Sequence, residues 1–100
     1  MLYAILSEDV PNSLALRRQN RASHLARLEA LQQQGRLILA GPHPAIDCDD
    51  PGEAGFTGSL IVAEFPSQLD AETWAADDPY VAAGIYARVT VKPFKLVLPR

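Results

Sequence analysis

Apolar positions along the chain fall into four short extended runs, with helically spaced stretches between them. Leu2 to Ser7 is a compact apolar run and predicts a buried strand. Glu8 to Ser13 holds Asp9, Pro11 and Asn12, a loop composition, and Ser13 stands where it can cap a following helix. Leu14 to Gln34 is rich in Leu, Ala, Arg and Gln, with no glycine or proline inside, and Gly35 occupies the position of a helix C-terminal glycine. Leu37 to Ala40 predicts a second strand, ended by Gly41-Pro42, and His43 to Thr57 reads as a long loop. Ser59 to Phe65 is a third strand, stopped by Pro66. Ser67-Gln68-Leu69-Asp70 then opens a helix to about Ala76, with an acid three residues after the cap. Asp78 as cap and Pro79 at the first helical position restart a short turn. Ile85 to Lys92 is the last strand, and Phe94 to Arg100 is a tail.

The order strand, helix, strand, strand, helix, strand is the split β-α-β pattern of the ferredoxin-like fold, an α+β class with both helices on one face of an antiparallel sheet. No helix remains to cover the other face. Yet Leu37-Ile38-Leu39-Ala40 and Leu60-Ile61-Val62-Ala63 are apolar on both faces, and a sheet of that kind needs a second cover. The simplest cover is another copy of the chain, so a homodimer packed sheet to sheet, a dimeric α+β barrel, is expected. The last strand alternates more cleanly, Ile85, Ala87, Val89 and Val91 against Tyr86, Arg88, Thr90 and Lys92, so one of its sides is wetter.

Composition narrows the class. The 100 residues suit a single domain, residues 1–100, without repeats or linkers. Apolar residues at 48% against charged ones at 21% can fill a core. A net charge of −3 gives no general attraction to nucleic acid or to an anionic membrane surface. No apolar run approaches the roughly 20 residues of a membrane span. The first residues turn acidic at Glu8 without a basic leader segment, and Cys48 is the only cysteine, so a cytoplasmic protein without disulfides is expected.

The first helix carries the most informative pattern. Positions 17, 21, 24, 28 and 31 form one stripe, which reads Arg17, Arg21, His24, Leu28, Leu31. It is apolar toward the C-terminus, where it should dock on the sheet, and cationic toward the N-terminus. A helix of this length extends about 30 Å and a six-residue strand about 20 Å, so the arginine end is expected to overhang the sheet. His24 then lies where core gives way to cleft, a setting in which an imidazole is tuned by its neighbours. The competing reading of His24 is a packed helix histidine bonded to a backbone carbonyl. For Arg17 and Arg21 it is a solvated helix face. Asp78 has two roles open to it. Capping the turn at Pro79 is chemically sufficient. Bonding one ring nitrogen of His24 would instead fix the tautomer and leave the other nitrogen free as a base.

The segment His43-Pro44-Ala45-Ile46-Asp47-Cys48-Asp49-Asp50 groups an imidazole, a thiol and three carboxylates, but in full it fits neither zinc nor calcium spacing. Cys48 has no basic activator near it in sequence and reads as an inert loop thiol. Gly55-Phe56-Thr57-Gly58 has too few glycines for a nucleotide loop, and no nucleophile elbow is present.

Several segments in this order resemble the YciI-like, or YCII-related, family over almost the whole chain. They are Met1 to Ser7, Arg21-Ala22-Ser23-His24-Leu25-Ala26-Arg27-Leu28, Gly35 to Pro42, Gly55-Phe56-Thr57-Gly58-Ser59, Trp74-Ala75-Ala76-Asp77-Asp78-Pro79-Tyr80-Val81-Ala82-Ala83-Gly84, and Val91-Lys92-Pro93-Phe94. The resemblance implies a ferredoxin-like fold, a dimeric α+β barrel, and an active-site cleft whose histidine and aspartate correspond to His24 and Asp78. It also implies a link, for some members, to dehydrochlorinase-like chemistry on chlorinated aromatic compounds. Three functions are therefore expected to compete. One is a cofactor-independent lyase or isomerase with His24 as general base and Asp78 orienting it. Arg17 or Arg21 would then steady negative charge on a small anionic or phenolic substrate. The second is a non-catalytic ligand-binding domain, and the third a structural dimer. Fold alone does not choose among them.

Overall fold

A computed structural model describes residues 1–100. Strand β1 (Leu2–Asp9) leads to helix α1 (Leu14–Gln33) and strand β2 (Leu37–Pro44). A single turn of 3-10 helix, Gly52–Ala54, precedes strand β3 (Phe56–Glu64). Helices α2 (Gln68–Ala76) and α3 (Pro79–Ala82) precede strand β4 (Tyr86–Phe94). The sheet order is β2-β3-β1-β4 and every neighbouring pair is antiparallel. This is the expected ferredoxin-like α+β arrangement.

The helices cover one face. Tyr3 and Ile5 of β1 and Ile61 and Ala63 of β3 point into a core closed by Leu28 and Leu31 of α1 and Ala71 and Ala75 of α2. Residues directly opposite in the ladder share a face. The pairings Ala4↔Val62, Leu6↔Leu60, Gly41↔Leu60 and Leu39↔Val62 therefore place a second apolar set on the side without helices. On that side Leu6 is 39% and Leu39 45% exposed.

Strand limits differ from the expectation where proline was read as a stop. β2 continues through Pro42 to Pro44. It is an edge strand, so its outer side has no ladder to donate to and proline is tolerated there. Pro93 sits on the other edge, within β4, by the same logic. β3 begins at Phe56, inside the segment expected to be loop. At Gly58 the two central strands approach so closely that a β-carbon would collide with the Ser7 carbonyl oxygen, which fixes glycine at that position.

Helix ends follow sequence logic with one exception. The Ser67 side chain accepts the Asp70 backbone N–H and caps α2, and Asp78 accepts the Tyr80 N–H and caps α3, with Pro79 at the first helical position. Ser13 precedes α1 but makes no cap bond. Its backbone is already helical (φ −81°, ψ −8°), unlike the extended caps Ser67 and Asp78, and its hydroxyl instead donates to Asp9 Oδ2 at 2.6 Å.

No helix is long and apolar enough to cross a membrane.

Candidate functional site

The buried stripe of α1 is Arg17, His24, Leu28 and Leu31, while Arg21 is exposed. Leu28 and Leu31 anchor the helix to the core, and this sets the depth of His24, which is 8% exposed. The Asp78-Pro79-Tyr80 segment approaches from the far end of α2. Pro79 fixes the break, and Asp78 takes the extended backbone conformation of a cap (φ −61°, ψ 131°). That conformation turns its carboxylate toward α1. Both carboxylate oxygens lie 2.9 Å from His24 Nδ1, and Oδ1 also accepts the Tyr80 N–H at 2.9 Å. The roles of cap and histidine partner coexist in one side chain.

An ionised carboxylate only accepts, so Nδ1 carries the proton. In the neutral ring Nε2 then holds the free lone pair. Nε2 has no hydrogen-bond partner and is not sealed from solvent. The imidazole lies flat on the Tyr80 ring, with centroids 4.0 Å apart and planes 7° from parallel. Tyr80 is fully buried, and its hydroxyl donates to the Arg17 carbonyl at 3.3 Å.

His24 lines a cleft of about 220 Å³ between α1 and the β2–β3 side of the sheet. Its apolar walls include Leu25, Leu28, Ala40, Pro42 and Ile61, and its polar groups belong to His24, Arg17, Arg21, Ser59 and Tyr80. A second hollow of about 250 Å³ shares Arg17, Arg21, Pro42 and Tyr80 with it and reaches Asp50 and Phe56.

The two arginines of the stripe differ. Arg17 is 6% exposed, not an overhanging solvated cation. Its guanidinium forks onto Asp9, Nε to Oδ2 at 2.6 Å and one terminal nitrogen to Oδ1 at 2.8 Å, and that terminal nitrogen also donates to the Gly58 carbonyl at 3.1 Å. The rings of Phe56, Tyr80 and Tyr86 surround it at 5.4, 5.2 and 6.0 Å. Burial alone would lower its pKa, but the bond to Asp9 and the Asp9 charge outweigh burial and hold it above its ordinary value. Arg21 faces both hollows and pairs with no carboxylate.

On the sheet side the Ser59 hydroxyl is bonded to the Tyr86 hydroxyl at 2.9 Å. Burial pushes the Tyr86 phenol up to about 12, against the smaller opposing effect of its bond to Ser59. Burial likewise raises the Tyr80 phenol, with the Arg17 charge opposing.

Of the acidic segment, Asp50 borders the second hollow. Cys48 is exposed and donates its S–H to the Asp50 carbonyl at 3.3 Å, and Glu53 forms an exposed pair with Arg18 at 3.2 Å. No group of three His, Cys, Asp or Glu side chains is placed to share an ion.

Asp9, Ser59, Tyr80 and Tyr86 were not singled out from the sequence. Tyr80 had a usable signal, since it follows a cap and a proline and must lie beside whatever the cap binds. Asp9 had none, because nothing in a loop composition shows that its carboxylate turns back onto the helix.

The YCII-related domain profile matches residues 1–95. The protein YciI of Escherichia coli is 57% identical over 97 residues, covering 97% of this chain and 99% of that protein. An uncharacterized protein of Haemophilus influenzae is 56% identical over the same shares. Among solved structures, a 5-chloro-2-hydroxyhydroquinone dehydrochlorinase from Burkholderia phenoliruptrix, in complex with 2,5-dihydroxybenzoquinone, is similar with a TM-score of 0.83 and 32% identity. The match covers 95% of this chain and 94% of the enzyme. An antibiotic biosynthesis monooxygenase shares the fold at a TM-score of 0.50 and 17% identity, covering 97% and 99% of the two chains. On the profile match and on identity across nearly its whole length, this chain belongs to the YCII-related domain family.

Proposed function

We propose that the chain is a small-molecule enzyme of the lyase or isomerase type, with dehydrochlorinase-like chemistry in the cleft at His24. One observation carries this reading. His24 Nδ1 is held by both oxygens of Asp78 while Nε2 remains unpartnered in a largely apolar cleft. A histidine that served only to tie α1 to α3 would not need its second nitrogen kept free. Asp78 fixes the ring orientation and stabilises the imidazolium formed when Nε2 takes a proton. Arg21, free of any carboxylate, faces the place where negative charge would develop on substrate oxygen. Arg17 lines the same cleft, but its charge is already balanced by the two-point bond to Asp9.

Loss of hydrogen chloride from a chlorinated hydroxy-aromatic ring needs a base for the proton and a route out for chloride. Isomerisation needs only the base. Neither consumes an external oxidant or reductant, so the residues present suffice for the proton transfer. The similar dehydrochlorinase carries a dihydroxybenzoquinone, and a flat oxygenated ring of that kind suits a cleft of about 220 Å³. The working unit is a homodimer joined through the open sheet face, and its single exposed thiol suits a cytoplasmic setting.

The test is chloride release from chlorinated hydroquinones, followed with the unaltered protein and with His24→Asn. The asparagine amide nitrogen stands near Nδ1, so the bond to Asp78 survives while Nε2 is lost. Turnover abolished in a folded His24→Asn variant supports the reading. Equal turnover in both proteins overturns it. Binding of the ring without turnover in the unaltered protein moves the function to a ligand-binding domain.

A further inference from the structure

We propose that the Ser59 hydroxyl, backed by Tyr86, is the second polar anchor of the cleft and donates a hydrogen bond to a carbonyl or phenolic oxygen of a flat ring whose opposite side meets His24. This rests on the reading of the cleft as a small-molecule site and adds the recognition of a second, uncharged ligand oxygen.

Ser59 is buried on the helix-facing side of β3, opposite Pro42 of the edge strand and two residues from Ile61. All three line the cleft, and around them the floor is apolar. A hydroxyl in such a place is costly unless its bonding is complete. Its partner is the Tyr86 hydroxyl at 2.9 Å. The two hydroxyls carry two donor hydrogens, and the bond between them uses one. Whichever of them donates, one hydrogen is left over. Of the two, Ser59 lines the cleft and Tyr86 does not. With Tyr86 donating to Ser59, the spare hydrogen is presented to whatever enters. The phenol is pushed up to about 12, so Tyr86 keeps its proton at neutral pH and can fill that donor role.

The chemistry of the anchor restricts the ligand. A neutral hydroxyl suits a neutral carbonyl or a phenol oxygen, whereas a carboxylate or phosphate on that side would meet only Arg17, whose charge Asp9 already balances. Arg21 lies at the exposed side of the cleft and takes any formal negative charge there. The expected ligand therefore has an apolar ring between Leu28 and Ile61, an oxygen at Ser59, and its reacting proton toward His24. Oxygens on opposite sides of one ring, as in a quinone or a hydroquinone, meet that requirement.

Binding of 2,5-dihydroxybenzoquinone and of phenol, followed through the NMR resonances of the His24 imidazole, tests the assignment. Ser59→Ala should weaken the dihydroxybenzoquinone by about 2- to 12-fold, the worth of one ordinary hydrogen bond, and weaken phenol, which has only one oxygen to place, by less. Tyr86→Phe should give a loss of the same order, and adding it to Ser59→Ala should cost nothing more, since Tyr86 acts through Ser59. If Ser59→Ala fails to fold, Tyr86→Phe alone carries the same comparison of the two probes. Equal binding of the dihydroxybenzoquinone by the variants and the unaltered protein overturns the Ser59 assignment and leaves the His24 cleft standing. Equal losses for both probes also overturn it, since they report only altered packing. If neither probe perturbs His24 in the unaltered protein, the small-molecule reading itself fails and this inference falls with it.

Discussion

His24 and Tyr80 form a stack, 4.0 Å between centroids and 7° from parallel, and one carboxylate holds both residues. Asp78 accepts from the ring nitrogen of the first and from the backbone amide of the second. The platform under the imidazole and the group that fixes its tautomer thus come from one tripeptide, Asp78-Pro79-Tyr80, whose shape is set by a helix start. Any change that unwinds the start of α3 removes the hydrogen bond and the stacking surface together. Arg17 also lies against the Tyr80 ring, 5.2 Å from its centroid, and is held in turn by Asp9.

Replacing Asp78 separates its two roles. Asparagine caps helices as well as aspartate does and retains one acceptor for Nδ1, so Asp78→Asn should cost within about 1 kcal/mol. Asp78→Ala loses the cap and strands the buried Nδ1–H, for about 2–4 kcal/mol together. Denaturant melts give the comparison. Nitrogen-15 spectra of His24 should show the proton on Nδ1 in the unaltered protein and a mixture of tautomers in Asp78→Ala. Equal melts for the two variants would mean that the carboxylate does not hold the ring.

The Asp9–Arg17 pair should dominate the electrostatic part of stability. Both side chains are nearly inaccessible, at 1% and 7%, and the geometry is a two-point fork. Asp9→Asn leaves the guanidinium buried without its countercharge and should cost about 3–5 kcal/mol. Arg18→Ala removes an ion pair whose side chains are 59% and 87% exposed and should cost under about 1 kcal/mol. Chemical denaturation of the two variants checks the contrast, and a small loss for Asp9→Asn would show that the pair is not what holds the start of α1 to the end of β1.

How far the sequence reached is clearest at these residues. The stripe from Arg17 to Leu31 and the forced break at Pro79 placed His24 and Asp78 at the edge of one core, because helical periodicity and capping are local rules. Their pairing came from family resemblance, since no local rule brings residues 54 positions apart into contact. In the sequence Arg17 is an overhanging cation, because a lone helix shows no partner. Asp9, eight residues earlier, supplies one at the end of β1, where the register with β4 shifts past Ala87. Gly41-Pro42 looks like a strand end because the sequence does not say which strand is an edge.

Alkaline stability should report on Tyr86. An unfolded tyrosine titrates near 10, and in the folded chain burial holds this one up to about 12. Below pH 10 both states keep the proton and the group adds no pH dependence. Between 10 and 12 the unfolded chain has lost the proton and the folded one retains it, so stability falls as pH rises through that window. Tyr80 is shifted in the same direction. Tyr86→Phe should therefore make the alkaline fall shallower without abolishing it. Urea melts across the window measure the slope, and an unchanged slope in Tyr86→Phe would show that its proton is not held by the fold.

The open sheet face should join two copies of the chain. Register puts Leu6, Leu39, Leu60 and Val62 on the side without helices, and the exposure of Leu6 and Leu39 in the lone protomer is too apolar for a surface facing water across its width. A specific interface takes roughly 800 Å² from each partner, which a four-stranded face can supply. Charge placed there should break the assembly without unfolding the protomer, because these side chains are not in the cluster under the helices. Light scattering of the unaltered protein should give twice 10.9 kDa, and Leu6→Asp or Leu39→Asp should give the single mass with an intact circular dichroism spectrum. A monomer mass for the unaltered chain at micromolar concentration would refute the dimer. Loss of fold in both variants would mean instead that the face is part of the protomer's own core.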